Sequence, residues 1–148
     1  MTLKLQSFFP YQLAVLADTV SRAMAQVYAE RFELSRDEWR VVAALYENGA
    51  MKTADVIAHT TLDKMQVSRA VTRLEQDGLI QRSEDPGDRR NRVIELLPPG
   101  TALVRKVVPL VEARVAFLLD ALDPAERASL DAVIAKVGER AQQLIRQG

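Results

Sequence analysis

Residues 63–92, DKMQVSRAVTRLEQDGLIQRSEDPGDRRNR, leave the chain few choices: a helix, a sharp stop, a strand, and a turn rich in arginine. Asp63 caps the helix and Gln66, three residues on, reaches back, a capping-box pattern. Gly78 suits the left-handed residue that closes a helix. Val67, Ala70, Val71 and Leu74 fall at i, i+3, i+4 and i+7, so they form one apolar stripe that must be packed. The opposite face carries Ser68, Arg69, Thr72 and Gln76, with Lys64, Gln66 and Arg73 beside it. Such donors and cations read base edges and phosphates in a major groove. A charged outer face is commonplace on surface helices, and alone it would decide nothing.

The sequel decides more. Residues 79–83 and 92–97 read as two short strands. Between them Glu84-Asp85-Pro86-Gly87-Asp88-Arg89-Arg90-Asn91 has a turn composition. A hairpin directly after such a helix is the layout of a winged helix-turn-helix. Its tip would hold Arg89 and Arg90, within reach of a minor groove or of phosphates. Asp88 is placed to pair with one of these arginines and hold it.

The run Asp85-Pro86-Gly87-Asp88-Arg89-Arg90, followed by Val93-Ile94-Glu95-Leu96, resembles the wing signature of the MarR family of transcriptional regulators. Val67-Ser68-Arg69, Arg73-Leu74-Glu75 and Gly78-Leu79-Ile80-Gln81-Arg82 are similar to that family's recognition helix and first wing strand. Length and helix order extend the resemblance along the whole chain. One departure stands out. The family usually carries Leu-Thr before the next helix, with the threonine as cap. This chain has Leu96-Leu97-Pro98-Pro99-Gly100-Thr101, so the helix starts either near Thr101 or on the prolines.

Taken in order, residues 1–10 read as an irregular lead-in ending in Phe8-Phe9-Pro10. A helix over about 11–30 follows, with Leu13, Leu16, Val20, Met24 and Val27 as its stripe. Ser35 with Glu38 makes a second capping box, and that helix runs through Trp39, Val42, Ala43, Leu45 and Tyr46 to a stop at Asn48-Gly49. A short helix over about 53–59 completes the helix-turn-helix as the supporting partner of the reading helix. A long helix over about 101–122 is apolar on most faces and contains Pro109. Asp123-Pro124-Ala125-Glu126 opens a last helix with a cap, a first-turn proline and a first-turn acid. Its stripe is Leu130, Val133, Ile134, Val137, Ala141, Leu144 and Ile145.

The expected fold is mainly α with a small β-hairpin wing, a winged helix-turn-helix plus a helical dimerisation bundle. Residues 1–148 form one domain, with the DNA-binding lobe at 34–97 and the dimerisation region at 1–33 and 98–148. The resemblance implies a homodimer on double-stranded DNA. The candidate DNA-binding residues are Lys64, Gln66, Ser68, Arg69, Thr72, Arg73, Arg89, Arg90 and Arg92, with Arg90 first for the minor groove and Arg89 second. It also implies a small aromatic or phenolic effector, for which Tyr11, Arg22, Trp39, Arg40 and His59 supply aromatics to stack and cations to meet a carboxylate.

Composition enters mostly by exclusion. The chain has no cysteine and one histidine, so disulfides, thiol redox chemistry and a Cys/His zinc site are out. It shows no nucleophile elbow, phosphate loop or dinucleotide fingerprint, and no enzyme, cofactor or metal is expected. No apolar run approaches the roughly 20 residues that span a bilayer, and no signal-peptide pattern opens the chain, so a cytoplasmic protein is expected. Lys+Arg and Asp+Glu are 20 each. A net charge of zero argues against a nonspecific nucleic-acid coat. From 64 to 92 the cations are Lys64, Arg69, Arg73, Arg82, Arg89, Arg90 and Arg92, against Glu75, Asp77, Glu84, Asp85 and Asp88, a modest local excess. That balance keeps open a winged-helix module that docks proteins and does not read DNA.

Overall fold

The computed structural model describes residues 3–148, apart from the side chains of residues 88–91. A 3-10 turn at Leu5–Ser7 leads into α1 (Phe9–Phe32), α2 (Arg36–Asn48), β1 (Met51–Lys52), α3 (Thr53–Thr60), α4 (Lys64–Gln76), β2 (Ile80–Asp85), β3 (Asp88–Leu96), α5 (Pro98–Leu119) and α6 (Pro124–Gln147). The chain divides within α5 into two compact units, one reaching Val111 and one spanning Glu112–Gly148.

Three helix starts are made by the same device. Ser35, Asp63 and Asp123 each accept the N–H of the residue three positions on, and Glu38, Gln66 and Glu126 each return a carbonyl or carboxylate oxygen to the cap's own N–H. Each pairing satisfies two orphan donors of a first turn. The stops follow from glycine: Gly49 and Gly78 sit at φ +76° and +74°. After α4, the Leu79 N–H returns to the Leu74 carbonyl at 3.0 Å, which turns the chain directly into the hairpin.

The first unit buries a continuous core. Val67, Ala70, Val71 and Leu74 of α4 are nearly inaccessible and pack with Val41, Val42 and Leu45 of α2, Val56 of α3, Ile80, Ile94, and Val104 and Val107 of α5. α4 is therefore clamped along its apolar stripe, and its polar side is left outward. Trp39 stacks on the buried Tyr28 at 5.5 Å between ring centroids and 16° between planes, tying α2 to α1.

Several expectations need correction. α1 begins at Phe9, with Pro10 in its first turn, where proline lacks nothing the helix needs. Residues 84–91 are not an extended turn. β2 and β3 run out to the pair Asp85↔Asp88, so the turn is Pro86-Gly87 alone. Polar residues suit a strand ribbon and a loop alike, so composition alone does not distinguish the two. Leu79 belongs to the helix stop, not to the strand. β1 was not expected. Its two residues pair Met51↔Ile94 and Lys52↔Val93, giving the sheet order β1-β3-β2. Of the two starts left open for α5, the helix opens on the prolines, at Pro98, and it ends at Leu119.

Large apolar side chains outside the winged lobe stay exposed in the single chain. Leu13 and Leu16 of α1 are 46% and 60% accessible, and Ile134, Leu144 and Ile145 of α6 are 61%, 66% and 71%. Surfaces of this kind mark interaction sites.

Candidate nucleic-acid interface

The face of α4 opposite its buried stripe forms an open groove of about 510 Å³ lined by Ser68, Arg69, Thr72, Arg73, Gln76 and Asp77. The structure thus gathers the expected Ser68, Arg69, Thr72 and Arg73 on one surface, with the exposed Lys64 in the helix's first turn. Their situations differ. Arg69 is exposed and forms no ion pair among the described residues. Arg73 leans toward α2, its Nε 3.7 Å from a carboxylate oxygen of the buried Glu38. The other Glu38 oxygen accepts the Ser35 N–H at 3.0 Å, so one carboxylate serves both the α2 cap and an α4 arginine. Gln66 is half-buried, and its carbonyl oxygen is engaged with the Asp63 N–H at 3.0 Å, which leaves its amide donors for a ligand.

An ion pair fastens the wing to α4. Arg82 of β2 donates to Glu75 from its backbone N–H at 3.2 Å, from Nε at 3.3 Å and from Nη2 at 2.8 Å. The opposite end is held by Asp85, which accepts the Gly87 N–H at 3.0 Å and meets Lys52 Nζ at 3.2 Å. Arg92 is exposed on β3, near enough to Glu75 to help hold its charge. Arg89 and Arg90 lie on β3 just past the turn, and their side chains fall outside the described residues.

Hydrogen bonds from the Arg82 side chain, more than any other cause, hold the Glu75 carboxyl below its ordinary range. A lowered folded-state value contributes stability above the unfolded value, and that stability is lost as pH falls through the folded one. Wild-type stability should therefore fall more steeply than that of Glu75→Gln on acidification below about pH 4.5, the range in which a free glutamate titrates. Chemical denaturation at stepped pH checks this. Parallel curves would show that the pair adds no stability. Asp85, lowered by the Gly87 N–H and by Lys52, titrates in both proteins and cancels in the comparison.

The five expected effector residues do not share one site. Arg22 lines an open hollow of about 350 Å³ between α1 and α2, with Ser21, Ala25, Ser35, Arg36 and Asp37, and it pairs with Asp18 at 3.1 Å. Trp39 is half-buried against Tyr28, and Arg40 Nη1 donates to Thr61 Oγ1 at 3.4 Å. The Tyr28 phenol, raised above its ordinary value by burial, is offset by Arg40, Arg36 and a hydrogen bond with Ser21. His59 is exposed in a separate hollow with Asn48, Met51, Lys52 and Asp55, and Tyr11 is exposed in the first turn of α1. Ser21, Tyr28 and Arg36 were not anticipated. Only the packing of α1 on α2 brings them together, and no spacing in the chain signals it.

Among the described residues, no helix is long and apolar enough to cross a membrane, and no cluster of His, Asp and Glu is grouped to hold a metal ion. A supporting helix, a capped reading helix and a two-stranded wing define a winged helix-turn-helix protein. Residues 34–91 match the MarR family model. The HTH-type transcriptional repressor NicR of Pseudomonas putida is 30% identical over 98 residues, 66% of this chain and 62% of NicR. The homoprotocatechuate degradative operon repressor of Escherichia coli is 29% identical over 83 residues, 56% of each chain. These matches thus span less than two thirds of either relative. The structure of BpsR from Bordetella bronchiseptica, solved to explain regulation of its DNA binding by 6-hydroxynicotinic acid, superposes with a TM-score of 0.82. It is 27% identical and covers 93% of this chain and 98% of that one. Residues 34–91, the winged lobe, thus carry a MarR-family domain.

Proposed function

We propose that this chain is a sequence-specific DNA-binding transcriptional regulator, a cytoplasmic homodimeric repressor without enzymatic activity. The observation that carries the reading is α4 itself. It is capped at one end, clamped along Val67, Ala70, Val71 and Leu74, tied to the wing by Glu75 and Arg82, and open along Ser68, Arg69, Thr72 and Gln76. A rigid helix with an outward polar face suits the major groove, where donors and cations are read against base edges and phosphates. Lys64, Gln66, Ser68, Arg69, Thr72 and Arg73 form the major-groove and phosphate set, and Arg89, Arg90 and Arg92 the wing set. Residues 34–97 form the reading lobe. Residues 1–33 and 98–148 carry the exposed apolar helices that a second copy would cover. A two-fold dimer places its half-sites about one turn, roughly 10 bp, apart.

The effector reading rests on the α1–α2 hollow, where Arg22 and Arg36 offer charge to an acid and Ser21 a hydroxyl. Repression by the two relatives, and the response of BpsR to a hydroxylated aromatic acid, support this chemistry. The test is an operator titration with and without each of a panel of aromatic and phenolic acids, 6-hydroxynicotinic acid among them. Tight, sequence-selective binding that at least one of them weakens is expected. Equal binding to native and scrambled DNA would overturn the DNA reading, and selective binding that no aromatic acid weakens would overturn the effector reading alone.

A further inference from the structure

Within the winged lobe only two large apolar side chains are exposed among the described residues, Tyr46 at 43% and Met65 at 64%. Met65 lies in the first turn of α4. Arg69 and Thr72 follow it at i+4 and i+7, so it sits at the middle of the outward face, diametrically opposite Val67, Ala70, Val71 and Leu74. Nothing in the fold requires an apolar group there. Methionine, glutamine, glutamate, lysine and arginine have closely similar helix propensities, so helix formation does not select it. Neither the Asp63–Gln66 capping box nor the core uses its side chain.

The position is informative because the N-terminal residues of a reading helix are the ones that reach base edges. The major groove offers one apolar group, the C5-methyl of thymine. An unbranched, polarizable thioether adapts to such a methyl without demanding a fixed geometry. We propose that Met65 is a specificity-determining residue that reads a thymine methyl in each half-site, with Arg69 and Thr72 addressing the neighbouring positions. This rests on the DNA-reading function proposed above.

Removing one methyl from a buried contact is worth about fourfold in affinity, since one such carbon contributes about 0.8 kcal/mol and about 1.4 kcal/mol is tenfold. The test begins with DNA selected from a random pool by the full-length protein. Each thymidine of the recovered site is then replaced by deoxyuridine, which keeps every hydrogen-bonding group and deletes only the methyl. Wild type should lose about fourfold at one symmetric position per half-site, and about fifteenfold when both are replaced. Met65→Ala should bind the thymidine and deoxyuridine sites alike, while Met65→Leu keeps the discrimination. Because Met65 is exposed, both variants should fold as wild type does. The proposal is overturned if no thymidine is sensitive, or if Met65→Ala discriminates as wild type does. Failure to recover any preferred sequence would instead remove the DNA-reading function, and this inference with it.

Discussion

Arg69→Ala should weaken operator binding at least about thirtyfold while leaving the fold intact. A base-contacting arginine is worth about 1–3 kcal/mol, and a homodimer loses two of them. Arg69 is the position where such a loss reports DNA contact with least ambiguity. Arg82 is bound to Glu75, and Arg73 leans on Glu38, so truncating either also disturbs the protein. Arg69 has no such duty: it is exposed, outside the core, and forms no ion pair among the described residues. Its removal should leave the thermal midpoint within about 2 °C of wild type, as expected of an exposed surface change. Fluorescence anisotropy with a labelled operator, beside a thermal melt, gives both quantities. A loss below about threefold would mean that the centre of the α4 face does not address DNA.

Gly100→Ala should destabilise the protein by about 3 kcal/mol and lower its midpoint by about 10 °C. Helix propensity alone predicts the opposite sign, since alanine is favoured over glycine by about 1 kcal/mol inside a helix. Geometry decides against propensity. A Cβ at Gly100 would stand 2.2 Å from the Leu79 carbonyl oxygen, 3.0 Å from Leu96 Cδ2 and 3.1 Å from the Leu79 carbonyl carbon. The first of these is backbone, and it cannot swing aside as a side-chain end would. Leu79 is also where the end of α4 meets the wing: its N–H closes the helix on Leu74, and its carbonyl accepts the Leu97 N–H at 2.9 Å. Displacing it should therefore loosen the reading helix and the hairpin together. Differential scanning calorimetry checks the magnitude. An unchanged or raised midpoint would mean that α5 has room to move away from Leu79.

These two residues mark how far the sequence could be read. The helix starts at Ser35, Asp63 and Asp123, and the stops at Gly49 and Gly78, were legible because capping chemistry is local and repeats at fixed spacing. The outward set on α4 was legible for the same reason, since a 3.6-residue period separates Val67, Ala70, Val71 and Leu74 from Ser68, Arg69 and Thr72. Gly100 looked like punctuation after Pro98-Pro99. Its actual constraint comes from Leu79, more than twenty residues away, and contacts at that separation leave no periodic trace. β1 escaped because two residues cannot show an alternation; Met51 and Lys52 become a strand only when Ile94 and Val93 lie beside them. The hairpin was longer than its composition implied, because polar residues serve a strand ribbon and a loop equally well. The α1–α2 hollow depends on the packing of two helices that the Tyr28–Trp39 stack ties together, another contact with no local signature. Met65 was readable as part of the helix, yet only its exposure at the centre of a polar face gives it a chemical role.

Whether α4 and the wing read DNA sequence is decided by titrating the protein against the fragment upstream of its own coding region and against scrambled DNA, across a series of salt concentrations. A preference for the native fragment of about a thousandfold or more is expected, with the logarithm of affinity falling steeply and linearly against the logarithm of salt concentration. Weak binding, equal for both DNAs at every salt concentration, would contradict it.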